Sequence, residues 1–225
     1  MTDENKQILQ DYIESHPDTI DNLDIKKIDE DLYKLVSKYE VWYLFSDFIQ
    51  LIVDEIGLQN LLSLAKSFTK SPFEGVKIRD TAINVENIKY NMFSEASFMG
   101  DFKIKCSNQI DSYAFVDSDM GGHKLIIQEC PIIRVNAFSE INNIHSIILP
   151  ANLKRLEFQK FPVDNVVCKD ITMSQFIQLM KTSSWWRYVI TSSSSKVKRL
   201  LNCDVICKDG TISRFQEFDK DYNLV

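Results

Sequence analysis

The sequence predicts an α/β chain: an all-helical N-terminal region, then a short repeat solenoid with a parallel sheet on one face. Three observations predict it. Phenylalanine returns at a near-constant interval, at Phe93, Phe115, Phe138 and Phe161, with separations of 22, 23 and 23 residues. An aliphatic residue stands five positions before each, at Ile88, Ile110, Ile133 and Leu156. The apolar pattern also changes from helical spacing to alternation at Ser71-Pro72. Periods of roughly 20–50 residues mark stacked repeats, in which each unit buries its apolar side only against its neighbours.

Residues 1–72 form the helical region. Ile8, Leu9, Tyr12 and Ile13 follow helix spacing until Pro17 interrupts them. Leu32, Leu35, Val36 and Tyr39 make a second stripe. Phe45, Phe48, Ile49, Ile52 and Ile56 make a third, ending at Gly57, a natural C-cap. Leu58, Leu61, Leu62, Ala65 and Phe68 make a fourth, which the residue before Pro72 closes. Trp42, Phe45 and Phe48 read as core. Residues 1–75 carry 15 acidic and 7 basic side chains, a net of −8, whereas residues 76–225 carry 17 acidic and 19 basic, a net of +2. Two regions with different surfaces follow from that asymmetry, the acidic one a solvated face.

From Val76 the units repeat. "IKYNMF" (88–93), "IDSYAF" (110–115), "IIRVNAF" (132–138) and "LKRLEFQKF" (153–161) each continue into a polar turn. Short alternating runs, "FKIK", "LIIQ" and "SIIL", then follow, and "VKIR" (76–79) opens the series. In "VNAFSEINNIHSIILP" (135–150), Ala137 and Phe138 point inward, Ile147 and Leu149 belong to the next strand, and Pro150 ends it. Side chains alternate along a strand. Val76 and Ile78 therefore face in, and Lys77 and Arg79 face out. Carried forward, the outward set is Lys103 and Lys105, then Ile126 and Gln128, then Ile148, then Val167 and Lys169. The face is basic at one end and apolar in the middle, and the apolar part has no folding reason to exist unless something covers it. Either a partner or the chain's own N-terminal helices could be that cover.

The aliphatic residue, four spacers, phenylalanine, polar turn and "SIILP" resemble the BspA-type leucine-rich repeat. The likeness spans about residues 76–170 and is strongest in "IIRVNAFSEINNIHSIILPANLKRLEFQKF". The cysteine or asparagine ladder of the commonest leucine-rich repeats is absent, and 26 residues separate Val76 from Phe102 in the first unit. "VVCKDITMSQFIQLM" (166–180) is similar to the strand, loop and helix that end such arrays, and "VICKDGTI" (205–212) to a closing hairpin. The two share V-x-C-K-D. The family's usual glycine-threonine pair is Ile171-Thr172 here, and its usual tryptophan is Phe176. The resemblance thus implies a leucine-rich-repeat solenoid over 73–170 and a C-terminal cap with helix and β-hairpin over 171–225.

Other function classes find little support. The N-terminus is acidic and polar, unlike a secretory signal, and "VWYLFSDFIQLIVDEIG" (41–57) is broken by Asp47, Gln50, Asp54 and Glu55, unlike a membrane span. The five cysteines, Cys106, Cys130, Cys168, Cys203 and Cys207, form no C-x-x-C pair, and His16, His123 and His145 do not complete a zinc set. Reduced core cysteines in the cytoplasm are the expectation. Asp117 and Asp119 before Gly121-Gly122 lack the further oxygens of a calcium loop. The sequence therefore predicts no catalytic residue, no cofactor and no metal.

Residues 151–200 carry nine basic and three acidic side chains, a net of +6, with Trp185, Trp186 and Tyr188 beside Arg187. Such a segment can seal the solenoid end, contact a protein or stack on single-stranded nucleic acid. The sequence thus predicts a non-enzymatic protein-binding module, with Lys77, Lys103, Ile126, Ile148, Val167, Trp185, Trp186 and Arg187 as partner-binding residues. A nucleic-acid-binding protein using segment 151–200 and a structural subunit of a larger assembly are the alternatives. Richness in Ile, Lys, Asn and Asp suggests an AT-rich genome. With the resemblance, it suggests a phage- or bacterium-encoded intracellular factor that binds a host protein or an assembly component.

Overall fold

The computed structural model describes residues 49–50, 53–54, 57–64, 71–157, 159–183, 186–188 and 197–225. The first two predicted helical stripes, Trp42, Phe45, Phe48, Ile52, Ile56, Ala65 and Phe68 lie outside the described residues. Within them, Ile49, Val53, Leu58 and Leu61 are buried against the solenoid core. Gly57 takes a left-handed φ of 81° and its N–H reaches the Val53 carbonyl at 3.0 Å, as a C-cap glycine should. Helix α1 (Leu58–Leu64) follows.

Thirteen strands are described: β1 (Lys77–Ile78), β2 (Ala82–Ile88), β3 (Ser97–Phe98), β4 (Phe102–Ile110), β5 (Lys124–Glu129), β6 (Ile132–Ile133), β7 (Ser146–Ile148), β8 (Arg155–Leu156), β9 (Asn165–Cys168), β10 (Val197–Arg199), β11 (Asp204–Cys207), β12 (Gly210–Ile212) and β13 (Glu217–Asp219). Strands β10 and β13 pair antiparallel with each other, and the rest stack as a solenoid whose turns present three ladders. The widest is parallel from β2 through β4, β5, β7 and β9 to β11, and β12 closes it antiparallel. Strand β4 is long enough to turn a corner, so its second half pairs with β6, which pairs with β8. The third ladder joins β1 to β3 and continues as single bridges at Asp119 and Asn142.

The predicted columns are present. Ile88, Ile110, Ile133 and Leu156 are in direct register on the second ladder and fully buried. Phe93, Phe115, Phe138 and Phe161 stack with centroid separations of 5.1, 6.1 and 6.3 Å. Phe73 extends this column at the N-terminal end, 5.2 Å from Phe93. Each such pair adds about 0.5–1.5 kcal/mol beyond its buried area. The backbone repeats as well. Residues two before and two after the phenylalanine take left-handed φ in three successive turns: Asn91, Tyr113 and Asn136 before, Glu95, Asp117 and Glu140 after. Non-glycine residues pay for that conformation. The inter-turn bonds it sets up, such as Phe93 N–H to the Ala114 carbonyl at 2.8 Å and Phe115 N–H to Ala137 at 3.1 Å, offset the cost.

One strand assignment is corrected. "VKIR" does not open the ladder that carries Lys103. Lys77 pairs with Ser97 on the third ladder, and the neighbour of Lys103 is Ala82 of β2. The long first interval, Val76 to Phe102, arises because those two runs belong to different sides of a turn. "AINVENI" is the true first strand of the wide ladder, with Ile83 and Ile88 buried.

Beyond β9 the chain makes helix α2 (Met173–Lys181). Thr172 caps it: its hydroxyl accepts from Gln175 N–H at 3.2 Å, and the Gln175 side chain accepts from Thr172 N–H at 2.8 Å. Phe176, Leu179 and Met180 are buried. Met173 N–H donates to Asp209 at 2.8 Å, tying the helix to the β11–β12 hairpin.

Candidate interaction surface

Alternation in the wide ladder sends one residue of each pair into the core and its neighbour outward. Phe102, Ile104, Leu125, Ile127, Ile147, Val166 and Val205 are all buried. The residues beside them form one cross-strand row: Ala82 opposite Lys103, Lys103 opposite Ile126, Ile126 opposite Ile148, Ile148 opposite Val167, and Val167 opposite Ile206. Thr211 ends the row on β12. Ile126, Ile148 and Val167 are half-buried, and Ile206 is 39% exposed. At the spacing of adjacent strands, the four apolar side chains extend about 14 Å.

Polar rims border this row. On one side stand Asp101, Lys124, Ser146, Asn165 and Asp204; on the other Asn84, Lys105, Gln128, Lys169 and Lys208. Lys105 lies 3.9 Å from Glu129 across the bulge between β4 and β5. Asp204 fixes the C-terminal corner. It accepts Arg214 N–H at 2.7 Å and the guanidinium at 3.3 Å, while the same guanidinium meets Asp164 at 2.8 Å. The backbone bond from Arg214, then its charge, holds the Asp204 carboxyl below the usual carboxylate range.

Lys103, Ile126, Ile148 and Val167 therefore share one surface. Lys77 does not, because its strand lies on another side of the turn. Trp186 is fully buried, so it seals the C-terminal end and cannot touch a partner in this fold. Trp185 lies outside the described residues. Arg187 is exposed and donates to the Lys181 carbonyl at 3.2 Å, beside Tyr188, which is 61% exposed. Ile206 was not anticipated. The duplicated V-x-C-K-D could have revealed it, since aligning the two copies sets Ile206 against Val167.

The described N-terminal residues do not lie over the row. They meet the free edge of the first turn: Gln50 bonds both backbone groups of Lys77, Gln59 bonds both backbone groups of Asn84, and Asp54 pairs with Arg79. Among the described residues, no group of three or more His, Cys, Asp or Glu side chains could hold a metal, and no helix is long and apolar enough to cross a membrane. The Asp119 carboxylate is occupied by Gly121 N–H at 2.8 Å and the Asn143 amide at 3.1 Å. An open groove of about 280 Å³ runs between α2 and the turn after β7, lined by Leu153, Ile171, Gln178 and Leu179 among others.

The sequence matches no protein-family model, no curated protein and no solved structure.

Proposed function

We propose that this chain is a non-enzymatic binding module that takes another protein on the outward face of its wide ladder. One observation carries the reading: Ile126, Ile148, Val167 and Ile206 stand side by side, in register and partly open to solvent. The core side of the same strands is already filled, so folding does not require an aliphatic residue at these positions. An apolar strip with a polar rim is the arrangement that a protein interface covers. Assignment of the turns to the BspA-type leucine-rich repeats remains part of this proposal. The phenylalanine column and the "SIILP" strand support it, as does the helix-and-hairpin closure. A phage- or bacterium-encoded factor acting on a host protein or an assembly component fits such a module, and so does a structural subunit.

The test is retention of a protein from lysate on tagged wild-type chain and on Ile148→Glu. A charge in a buried contact is poorly solvated, whereas an outward strand position tolerates it. The partner should be lost at least about tenfold, or about 1.4 kcal/mol. Equal retention would move the contact to Arg187 and Tyr188. Salt separates the nucleic-acid alternative, because phosphate binding through segment 151–200 would weaken steeply as salt rises.

A further inference from the structure

The duplicated V-x-C-K-D does more than extend the row. The structure lays one copy on the other as parallel strands: Asn165 opposite Asp204, Val166 opposite Val205, Val167 opposite Ile206, and Cys168 opposite Cys207. Cys168 and Cys207 point to the same, inward face, since both are buried while Val167 and Ile206 beside them face out. Adjacent strands hold opposed Cα atoms about 4.8 Å apart. That lies inside the roughly 4.4–6.8 Å a disulfide spans, and towards its short end.

The two thiols are also differentiated. Contact with Cys168 lowers the pKa of Cys207, while the same contact and burial raise that of Cys168. Cys207 is 7% exposed and the other four cysteines are at 0%. It is the last residue of β11, just before the hairpin turn. Cys106 and Cys130 are neighbours too, and their contact lowers Cys106 to about 7. Both are sealed within the stack, however, with their thiols donated to the Gln109 and Ile132 carbonyls, and the ladder is bulged just before them.

We propose that Cys168 and Cys207 are a dithiol site that a hydroperoxide converts to a disulfide, fastening β11 to β9 at the C-terminal end of the solenoid. The Cys207 thiolate attacks the peroxide oxygen, the O–O bond breaks, and the alcohol or water leaves with a proton. Cys207 is then a sulfenic acid. The Cys168 sulfur attacks it, the S–O bond breaks, and water departs carrying the Cys168 proton. Each sulfur gives up one electron, and the peroxide takes both. The bond closes the loop between β9 and β11, which includes α2, and so ties down the return strand.

The experiment treats the full reduced chain with hydrogen peroxide, blocks remaining thiols with N-ethylmaleimide and maps the peptides. The expected result is a loss of two thiols from the initial five, a cross-link between residues 168 and 207 within one chain, full reversal by dithiothreitol, and a raised unfolding temperature before reversal. In Cys168→Ala, dimedone should label Cys207. If that variant does not fold, the wild-type map decides alone. Five thiols surviving peroxide, a disulfide between any other pair, or a link between chains would overturn the proposal.

Discussion

At the N-terminal end of the stack, the free edges of β1 and β2 are met by side-chain amides; at the C-terminal end, the sheet is continued by more backbone. The Gln50 side-chain oxygen accepts from Lys77 N–H at 2.5 Å, and its side-chain N–H donates to the Lys77 carbonyl at 3.0 Å. Gln59 does the same for Asn84, at 2.6 and 3.0 Å. Each amide takes the place of the peptide of a neighbouring strand, which the described residues do not supply at these edges. At the other end β11 adds to β9 and turns back through β12, and the phenylalanine corner is closed by an amide: Asn202 accepts from Phe161 N–H at 3.2 Å and donates to the Phe161 carbonyl at 2.6 Å. A repeat array must protect its open faces. A side-chain plug satisfies one residue of backbone, whereas an added hairpin extends the sheet and, with it, the outward row as far as Ile206.

The comparison can be broken in order of effect. The largest should come from the shared core between the ends. Phe138→Ala removes the ring between Phe115 and Phe161 and should cost about 3–5 kcal/mol by denaturant unfolding, with loss of both closures together. A cost under about 1 kcal/mol would mean that the column does not couple them. Next is Asn202→Ala, which strips both partners from Phe161 and should cost about 1–2 kcal/mol, with faster amide exchange at Phe161. Gln59→Ala should cost less, about 0.5–1 kcal/mol, because Asn84 is exposed and water can replace the amide. If it matched Phe138→Ala, the N-terminal plug would be holding the whole array.

The smallest effect is electrostatic. The folded Asp204 carboxyl titrates below its unfolded value, so its contribution is present above about pH 4 and lost as pH falls through the depressed range. Arg214→Met should lower the melting temperature at neutral pH, and the two proteins should converge as the solution is acidified. Parallel melting curves at every pH would remove the Asp204–Arg214 contact from the account of the C-terminal corner.

The repeat was legible because burial acts at a fixed interval. The phenylalanine and aliphatic columns follow from spacing alone, and so do the inward and outward positions of β4, β5, β7 and β9. Phe73 was harder to see. It precedes Phe93 by 20 residues, off the period, because the first turn is shorter. Lys77 went to the wrong ladder for a related reason: "VKIR" and "FKIK" alternate alike, and alternation does not say which side of a three-sided turn a strand occupies. The amide plugs carry no local signal at all. Gln50, Gln59 and Asn202 are ordinary polar residues until the fold brings a bare backbone edge to them. Trp186 was ambiguous because an aromatic beside basic residues suits a buried seal and an exposed contact equally, and only packing separates the two.

Strand β7 offers the sharpest test of which face holds the fold and which is free to bind. Ile147 is fully buried and Ile148, its neighbour, lies in the outward row. Urea unfolding of Ile147→Glu and Ile148→Glu compares the two faces one residue apart. Ile148→Glu should unfold cooperatively within about 1 kcal/mol of wild type, while Ile147→Glu, burying a charge without a partner, should fail to fold or lose several kcal/mol. Unfolding by Ile148→Glu would contradict the account, because the row would then be part of the core and not a surface for a partner.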